Sequence, residues 1–268
     1  MERCLGLMAG AGIIPGRAAA EARRQGWKVV AFAFEEAPGL ADAAERVLPS
    51  SITEIQTVLT ALAAERVTAV AFVGKFWKQS VFSAAPRGDA AGQRLGREGL
   101  SDDALARMAV ATLEAMGVEV LDQRRFLGPW LLSAEQLTSR APADAEWEEI
   151  RAGWHLAREL ACRGVGQTVV RARGVTVAVE ASEGTDETIR RGVRLSGPGA
   201  VVIKAVADDH DFRFDVPAVG LGTLDAMAAG GATALAVARG RTLLVDGEAV
   251  TRRAEDAGIA MVTLEDGA

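Results

Sequence analysis

Short apolar runs that end in a glycine turn and then a helical stretch recur through the first half of this chain, and no other feature narrows its fold as far. Cys4 to Met8 is apolar and enters a glycine and proline turn, Gly10 to Gly16. An alanine-rich helical stretch follows, Arg17 to Gln25, and Gly26 ends it. Lys28 to Phe34 is the next strand, with β-branched and aromatic residues at Val29, Val30 and Phe32. Ile52, Ile55, Leu59 and Leu62 mark one stripe of a helix over Ile52 to Glu65, with Ser51 as its expected cap. Val67 to Val73 is continuously apolar, as suits a strand buried on both faces of a parallel sheet. A helix from Asp102 to Met116 stops at Gly117, and Val118 to Leu121 supplies one more strand. Strand-helix-strand units at this spacing predict a doubly wound, Rossmann-like parallel sheet over residues 1–123.

From Asp122 onward the periodicity fails. Arg124, Arg125, Gly128, Pro129, Ser139 and Pro142 interrupt it, so residues 124–143 read as a connector. Order resumes with a helix over Ala145 to Arg163, where Trp147, Ile150, Trp154, Ala157 and Leu160 or Ala161 share a face. Thr168 to Arg171 and Val175 to Val179 flank Arg173-Gly174, which reads as a hairpin. A short helix, Thr185 to Arg191, precedes strands over Ala200 to Lys204 and Phe214 to Val216. A helix over Leu221 to Ala229 and a strand over Ala232 to Val237 come next. Thr242 to Val245, a helix over Glu248 to Asp256 and Ile259 to Thr263 close the pattern. Residues 144–268 are therefore expected to form a second α/β domain on a mixed sheet.

Hydrophobic residues are 49% of the 268, ample for two cores, which excludes wholesale disorder. A net charge of -6 argues against capture of nucleic acid, although local basic groups stand at Arg94, Arg97 and Arg107 and at Arg190, Arg191 and Arg194. Cys4 and Cys162 read as small buried hydrophobes, and with only His155 and His210 beside them no zinc site is expected. His155 lies among tryptophans and reads as packed there, so neither Cys-His nor Ser-His-Asp chemistry is expected. MERCLGLMAG lacks the pattern of a signal peptide, and charges interrupt every apolar run before membrane-spanning length. A cytoplasmic, reducing location is the expectation.

The densest chemistry lies between Lys204 and Gly231. Asp208, Asp209, His210, Asp211, Arg213 and Asp215 crowd into eight positions, a cluster that asks for a balancing ion or ligand unless it is a solvated loop. Asp215 stands between Phe214 and Val216 just before the chain turns, where catalytic groups often lie. In AVEASEGTDETIRRG, Glu180 and Glu183 flank a turn at Gly184, and Thr185 and Asp186 open a helix. Thr185 alone would serve as an ordinary cap, but three carboxylates beside it suit a hard cation such as magnesium, with manganese as a substitute. Magnesium held by Asp215, Glu180, Glu183 and Asp186 would polarise a phosphate and acidify a water. Lys204 and Arg213 would balance charge on phosphoryl oxygens. In LGLMAGAGIIPG, Gly10 and Gly12 before a helix N-terminus suit a phosphate, although the spacing is not G-x-G-x-x-G and Pro15 removes a donor. In VGKFWK, which ends at Lys78, Gly74 and Lys75 follow the best apolar strand, at the sheet edge where ligands gather. Asp103, Gly184 and Thr223 complete the expected substrate contacts.

With these motifs in view, the chain resembles the UDP-2,3-diacylglucosamine pyrophosphatase family of lipid A biosynthesis, LpxI type. The resemblance is carried by LGLMAGAGIIP, SDDALAR, VAVEASEGTDETIRR, VVIKAV, RFDVPAVGLGTL and GRTLLVDGEAV, and it extends over nearly the whole length. It implies two domains, a homodimer and magnesium-dependent hydrolysis of a lipid-linked UDP-sugar to UMP and 2,3-diacylglucosamine 1-phosphate, with water attacking the sugar-side phosphorus. It places the family's essential acid, in R-x-D-x-P, on Asp215. The family usually carries K-P-x-Q-D ahead of that motif, where this chain has Ala207 and His210 in place of the lysine and glutamine. An acylated substrate implies transient contact with the inner face of the inner membrane. Phe126, Leu127, Trp130, Leu131 and Leu132 would either touch lipid there or be buried. Two rival readings are a non-catalytic protein that binds the sugar nucleotide or lipid, and a nicotinamide oxidoreductase, which the glycine spacing disfavours.

Overall fold

In the computed structural model the chain is described over residues 3–76 and 102–265, and over 102–106 in backbone only. Trp77, Lys78, Arg94, Arg97 and Ser101 lie outside the described residues, as does the side chain of Asp103. The chain divides into two compact units, Met1–Gly128 with Asp211–Asp215, and Pro129–His210 with Val216–Ala268. The break falls inside the segment read as a connector. Asp211–Asp215, which the sequence placed in the second domain, groups instead with the first unit.

The first unit is a five-stranded parallel sheet in the order β3-β2-β1-β4-β5. Its strands are β1 (Cys4–Ala9), β2 (Lys28–Ala33), β3 (Arg46–Pro49), β4 (Ala69–Val73) and β5 (Glu119–Val120). β1 is buried along its whole length, which is why its sequence reads as an unbroken apolar run. The helices are α1 (Ile14–Arg24), α2 (Leu40–Ala43), α3 (Ile55–Ala64), α4 (Asp102–Ala115) and α5 (Arg124–Leu127). Pro15 sits in the first turn of α1, where its missing N–H has no intrahelical role. α3 starts three residues later than expected. Ser51 does not cap it; its hydroxyl accepts from the Thr53 N–H, fixing a turn ahead of the helix. β3 was not foreseen, because it is a short edge strand with mostly exposed side chains and a terminal proline. Phe126 and Leu127 are fully buried, with Phe126 edge-on to Trp27, so they are core rather than lipid contacts.

The second unit carries a five-stranded mixed sheet in the order β12-β10-β8-β6-β7. β8 (Val201–Lys204), β10 (Ala234–Ala238) and β12 (Ala260–Leu264) run parallel, and β6 (Thr168–Ala172) and β7 (Val175–Val179) form the antiparallel hairpin. Arg173 and Gly174 both have positive φ, 52° and 78°, the geometry of a two-residue hairpin turn. β9 (Ala218–Val219) and β11 (Leu243–Leu244) make a small separate pair. The helices are α6 (Asp144–Cys162), α7 (Thr185–Ser196), α8 (Leu221–Ala229) and α9 (Gly247–Asp256). α6 buries Ile150, Gly153, Trp154 and Ala157, close to the expected stripe. His155 and Cys162 are exposed, against expectation, because each lies on the solvent side of that helix. α7 runs well past Arg191, since Gly192 continues the helix and lets it press onto β6, where an added Cβ would come within 2.7 Å of Val170. Leu132 is buried in this unit's core.

Candidate functional site

The turns at the carboxyl ends of β1 and β4 meet in the first unit. The Ala11 N–H donates to the Lys75 carbonyl at 2.8 Å, and the Lys75 N–H returns the bond to Ala11 at 3.1 Å. Gly10 donates to Val73 at 2.9 Å and Gly12 to Glu36 at 3.1 Å. The sequence reading brought Gly10, Gly12, Gly74 and Lys75 to one edge, and they lie together there. Their glycines answer to packing, however. A Cβ on Gly10 would stand 2.7 Å from the Lys75 carbonyl oxygen, and one on Gly74 would stand 2.7 Å from Pro15. The N–H groups of Gly10, Ala11 and Gly12 already serve protein carbonyls, so these three do not form an open phosphate cradle. The Lys75 side chain is exposed.

Asp215 is exposed and sits on a turn-bearing loop; the expected strand over Phe214 to Val216 is absent. Phe214 looks apolar and strand-like in sequence because its ring packs on Phe72, with centroids 5.2 Å apart, anchoring the loop to the first unit's core. Arg213 forms a two-pronged pair with Asp211, Nε to Oδ1 at 2.9 Å and Nη2 to Oδ2 at 2.7 Å. That hydrogen bonding from Asp211 raises the Arg213 pKa above its ordinary value. In the second unit Arg158 pairs with Asp208. Two of the clustered carboxylates thus find arginine partners within the protein. The charge density is met at least partly without a ligand.

The second unit joins Glu180, Thr185 and Lys204 in one chain of hydrogen bonds. Lys204 is only 5% exposed at the end of β8, and Glu180 only 7% exposed after β7. The Lys204 ammonium donates to Thr185 Oγ1 at 3.1 Å and to the Ala218 carbonyl at 3.1 Å. The Thr185 hydroxyl donates to Glu180 Oε1 at 3.0 Å, and the Gln167 N–H reaches Glu180 Oε2 at 3.3 Å. Gly184 is the N-cap of α7 with φ of 83°, and Thr185 is the first helical residue, so Thr185 serves this chain rather than a cap. Glu183 takes a separate set of partners, Arg191 at 2.5 Å and Thr188 at 3.2 Å, and the Arg191 hydrogen bond leads the effects that hold its carboxyl below the usual range. Asp186 accepts from the Thr223 hydroxyl at 2.9 Å, tying the first turn of α7 to the first turn of α8. The sequence reading missed Arg191 as the partner of Glu183, although the pair sits at i and i+8 across a helix start. Among the described residues, no three of His, Cys, Asp and Glu gather as a ready set of metal ligands.

Comparison with known proteins bears on both units. The LpxI N-terminal domain model matches residues 4–130, and the LpxI C-terminal domain model matches residues 133–262. UDP-2,3-diacylglucosamine pyrophosphatase LpxI of Caulobacter vibrioides is 30% identical over 283 aligned positions, 98% of each chain. Among solved structures, N5-carboxyaminoimidazole synthetase from Staphylococcus aureus is 14% identical at a TM-score of 0.24, over 68% of this chain and 42% of that one. N5-carboxyaminoimidazole ribonucleotide synthetase from Thermotoga maritima is 11% identical at 0.25, with the same shares covered. This chain spans less than half the length of those two proteins, and at such TM-scores neither likeness carries weight. Matched in both halves and in order, with a full-length relative beside it, the chain belongs to the LpxI family.

Proposed function

We propose that this protein is a UDP-2,3-diacylglucosamine pyrophosphatase of lipid A synthesis, hydrolysing its substrate to UMP and 2,3-diacylglucosamine 1-phosphate in a magnesium-dependent reaction. The observation that carries this reading is the match to a full-length relative of that name over 98% of both chains. Water adds to one phosphorus of the diphosphate, the bridging oxygen leaves with the other, and the proton lost by water passes to a base. Asp215, an exposed carboxylate on an anchored turn, suits the role of orienting that water or holding the metal.

The carboxylates present bear on how magnesium would bind. Glu180, Glu183 and Asp186 each accept from protein donors, and Glu183 faces a guanidinium, so they suit a ready-made cage poorly. Magnesium asks less than that, since it is commonly held by one or two carboxylates with substrate phosphates and retained waters. Asp215 fits such a role. When bound, the ion would polarise phosphoryl oxygens and acidify a water. Within its own unit Lys204 is nearly buried with its ammonium given to Thr185 and Ala218, and Arg213 is paired with Asp211, so the charge balance expected of these two on phosphoryl oxygens is the part of the reading that substitution at each must test. No helix among the described residues is long and apolar enough to cross a membrane. In this reading the acylated substrate is what brings the protein to the inner face of the inner membrane, and the working form is a homodimer.

The test is release of UMP. Purified protein with magnesium and UDP-2,3-diacylglucosamine should produce it, excess EDTA should stop it, and Asp215→Ala should abolish it with thermal unfolding unchanged. Full activity in that variant removes Asp215 from the reaction. Tight substrate binding without UMP in magnesium or manganese selects the non-catalytic reading.

A further inference from the structure

The first unit contains the same turn twice, and the two copies touch. In Asp122-Gln123-Arg124 the Asp122 Oδ1 accepts from the Arg124 N–H at 2.8 Å, and the carboxylate takes the guanidinium through Nε at 2.9 Å and Nη2 at 2.6 Å. In Asp211-Phe212-Arg213 the Asp211 Oδ1 accepts from the Arg213 N–H at 3.0 Å, and the carboxylate takes that guanidinium at 2.9 and 2.7 Å. Each turn closes with an N–H three residues on, Arg125 to Asp122 at 3.2 Å and Phe214 to Asp211 at 3.3 Å. The copies join in two ways. The Gln123 N–H donates to the Phe212 carbonyl at 3.3 Å, and the Arg124 guanidinium carbon lies 3.7 Å from the centre of the Phe212 ring.

Asp215 follows directly after the second turn. It lies in no strand, so the turn before it and the buried Val216 after it both bear on its place. Phe214 is fixed on Phe72, and Phe212, only 7% exposed, is the turn's other apolar anchor. Arg124 covers that anchor, and Asp122 holds the Arg124 fork in the plane that a stacked cation needs. We propose that Arg124 is a positioning residue for Asp215, acting through the face of Phe212. The inference rests on the reading of Asp215 as the essential carboxylate. Arg124 itself touches no reacting atom. Its effect is to keep a carboxylate on a ladder-free loop where the reaction needs it, and a misplacement of about 1 Å at such a group can lower turnover on the order of a hundredfold.

The experiment is steady-state UMP release by the full-length protein with four substitutions. Arg124→Ala should lower kcat by roughly ten- to a hundredfold while KM stays within about threefold, because geometry and not substrate affinity is lost. Arg124→Lys should not restore the rate, since an ammonium can neither pair in a fork with Asp122 nor lie flat on a ring. Phe212→Leu should also lower kcat, and adding Arg124→Ala to it should lower kcat no further, since both act along one path. A kcat for Arg124→Ala within twofold of the parent overturns the inference, as does full rescue by lysine. Multiplying losses in the double variant also overturn it, since they mean that Arg124 acts elsewhere. Full activity in Asp215→Ala instead removes the underlying reading, and that outcome is separable because it appears with Arg124 intact.

Discussion

Replacing Gly10 with alanine separates two meanings of the first glycine turn. If Gly10 is there to let a phosphate approach, the variant should fold normally and only bind less well. The geometry points the other way. The added Cβ would sit 2.7 Å from the Lys75 carbonyl oxygen and 2.8 Å from its carbon, about 0.7 Å inside ordinary contact, and both are backbone atoms that cannot swing aside. Backing the Lys75 turn away by that distance stretches the paired Ala11–Lys75 hydrogen bonds, now 2.8 and 3.1 Å, beyond useful length. Two net hydrogen bonds at about 1 kcal/mol each, with an overpacking cost of about 1 kcal/mol, give a loss of about 2–4 kcal/mol. Gly12→Ala is the comparison. Its φ is 99°, so strain of about 1–2 kcal/mol applies, but no atom lies within 4 Å of the new Cβ. Urea unfolding of the ligand-free protein, with midpoints and slopes compared, measures both. A Gly10→Ala variant within about 0.5 kcal/mol of the parent would refute the packing argument and return the turn to a ligand role.

Two further outcomes are expected. Thr185→Val removes the hydroxyl that links two nearly buried charged groups, Glu180 and Lys204, and should cost about 2–3 kcal/mol, whereas Thr185→Ser should stay within about 1 kcal/mol; urea midpoints check both. Glu255 has its pKa lowered, first by the Ser139 hydroxyl and then by the Ser139 N–H. Its stabilising effect is therefore complete above the unfolded carboxylate pKa and is lost as pH falls through the lower folded value, so Ser139→Ala should flatten the decline in urea midpoint between pH 5 and pH 3.

The βα alternation of the first unit was legible because buried parallel strands must be apolar on both faces, and the mixed second sheet because Arg173-Gly174 can only be a tight reversal. What escaped was non-local or half-buried. β3 escaped since its side chains face solvent and give no periodic signal. His155 was misjudged by its neighbour: Trp154 is fully buried, and one residue further round a helix the side chain points outward. Phe214 to Val216 resembled a strand because Phe214 and Val216 are each anchored, Phe214 on Phe72 and Val216 by burial, while the Asp between them is exposed. The repeated Asp-x-Arg triplets at Asp122 and Asp211 were visible as letters. Their pairing was not, since nothing local says that two turns so far apart in the chain will stack.

That pairing also changes how the acidic loop should be understood. A cluster of four carboxylates suggested a metal or an anionic ligand as the missing balance, yet Asp211 is matched by Arg213 and Asp208 by Arg158. In the second unit, a nearly buried ammonium at Lys204 would be costly by several kcal/mol without partners, and the Thr185 hydroxyl, the Ala218 carbonyl and the Glu180 carboxylate behind Thr185 supply them. Among the described residues, Asp211, Asp208 and Glu183 are each met by an arginine, while Asp186 and Glu255 are met by hydroxyl groups. Asp215 is exposed and directly follows a turn that Asp211, Arg213, Phe212 and Phe214 help to fix. The pairs beside it order the loop from within the protein, so the role proposed for Asp215 stands or falls on UMP release by Asp215→Ala and not on the charge density around it.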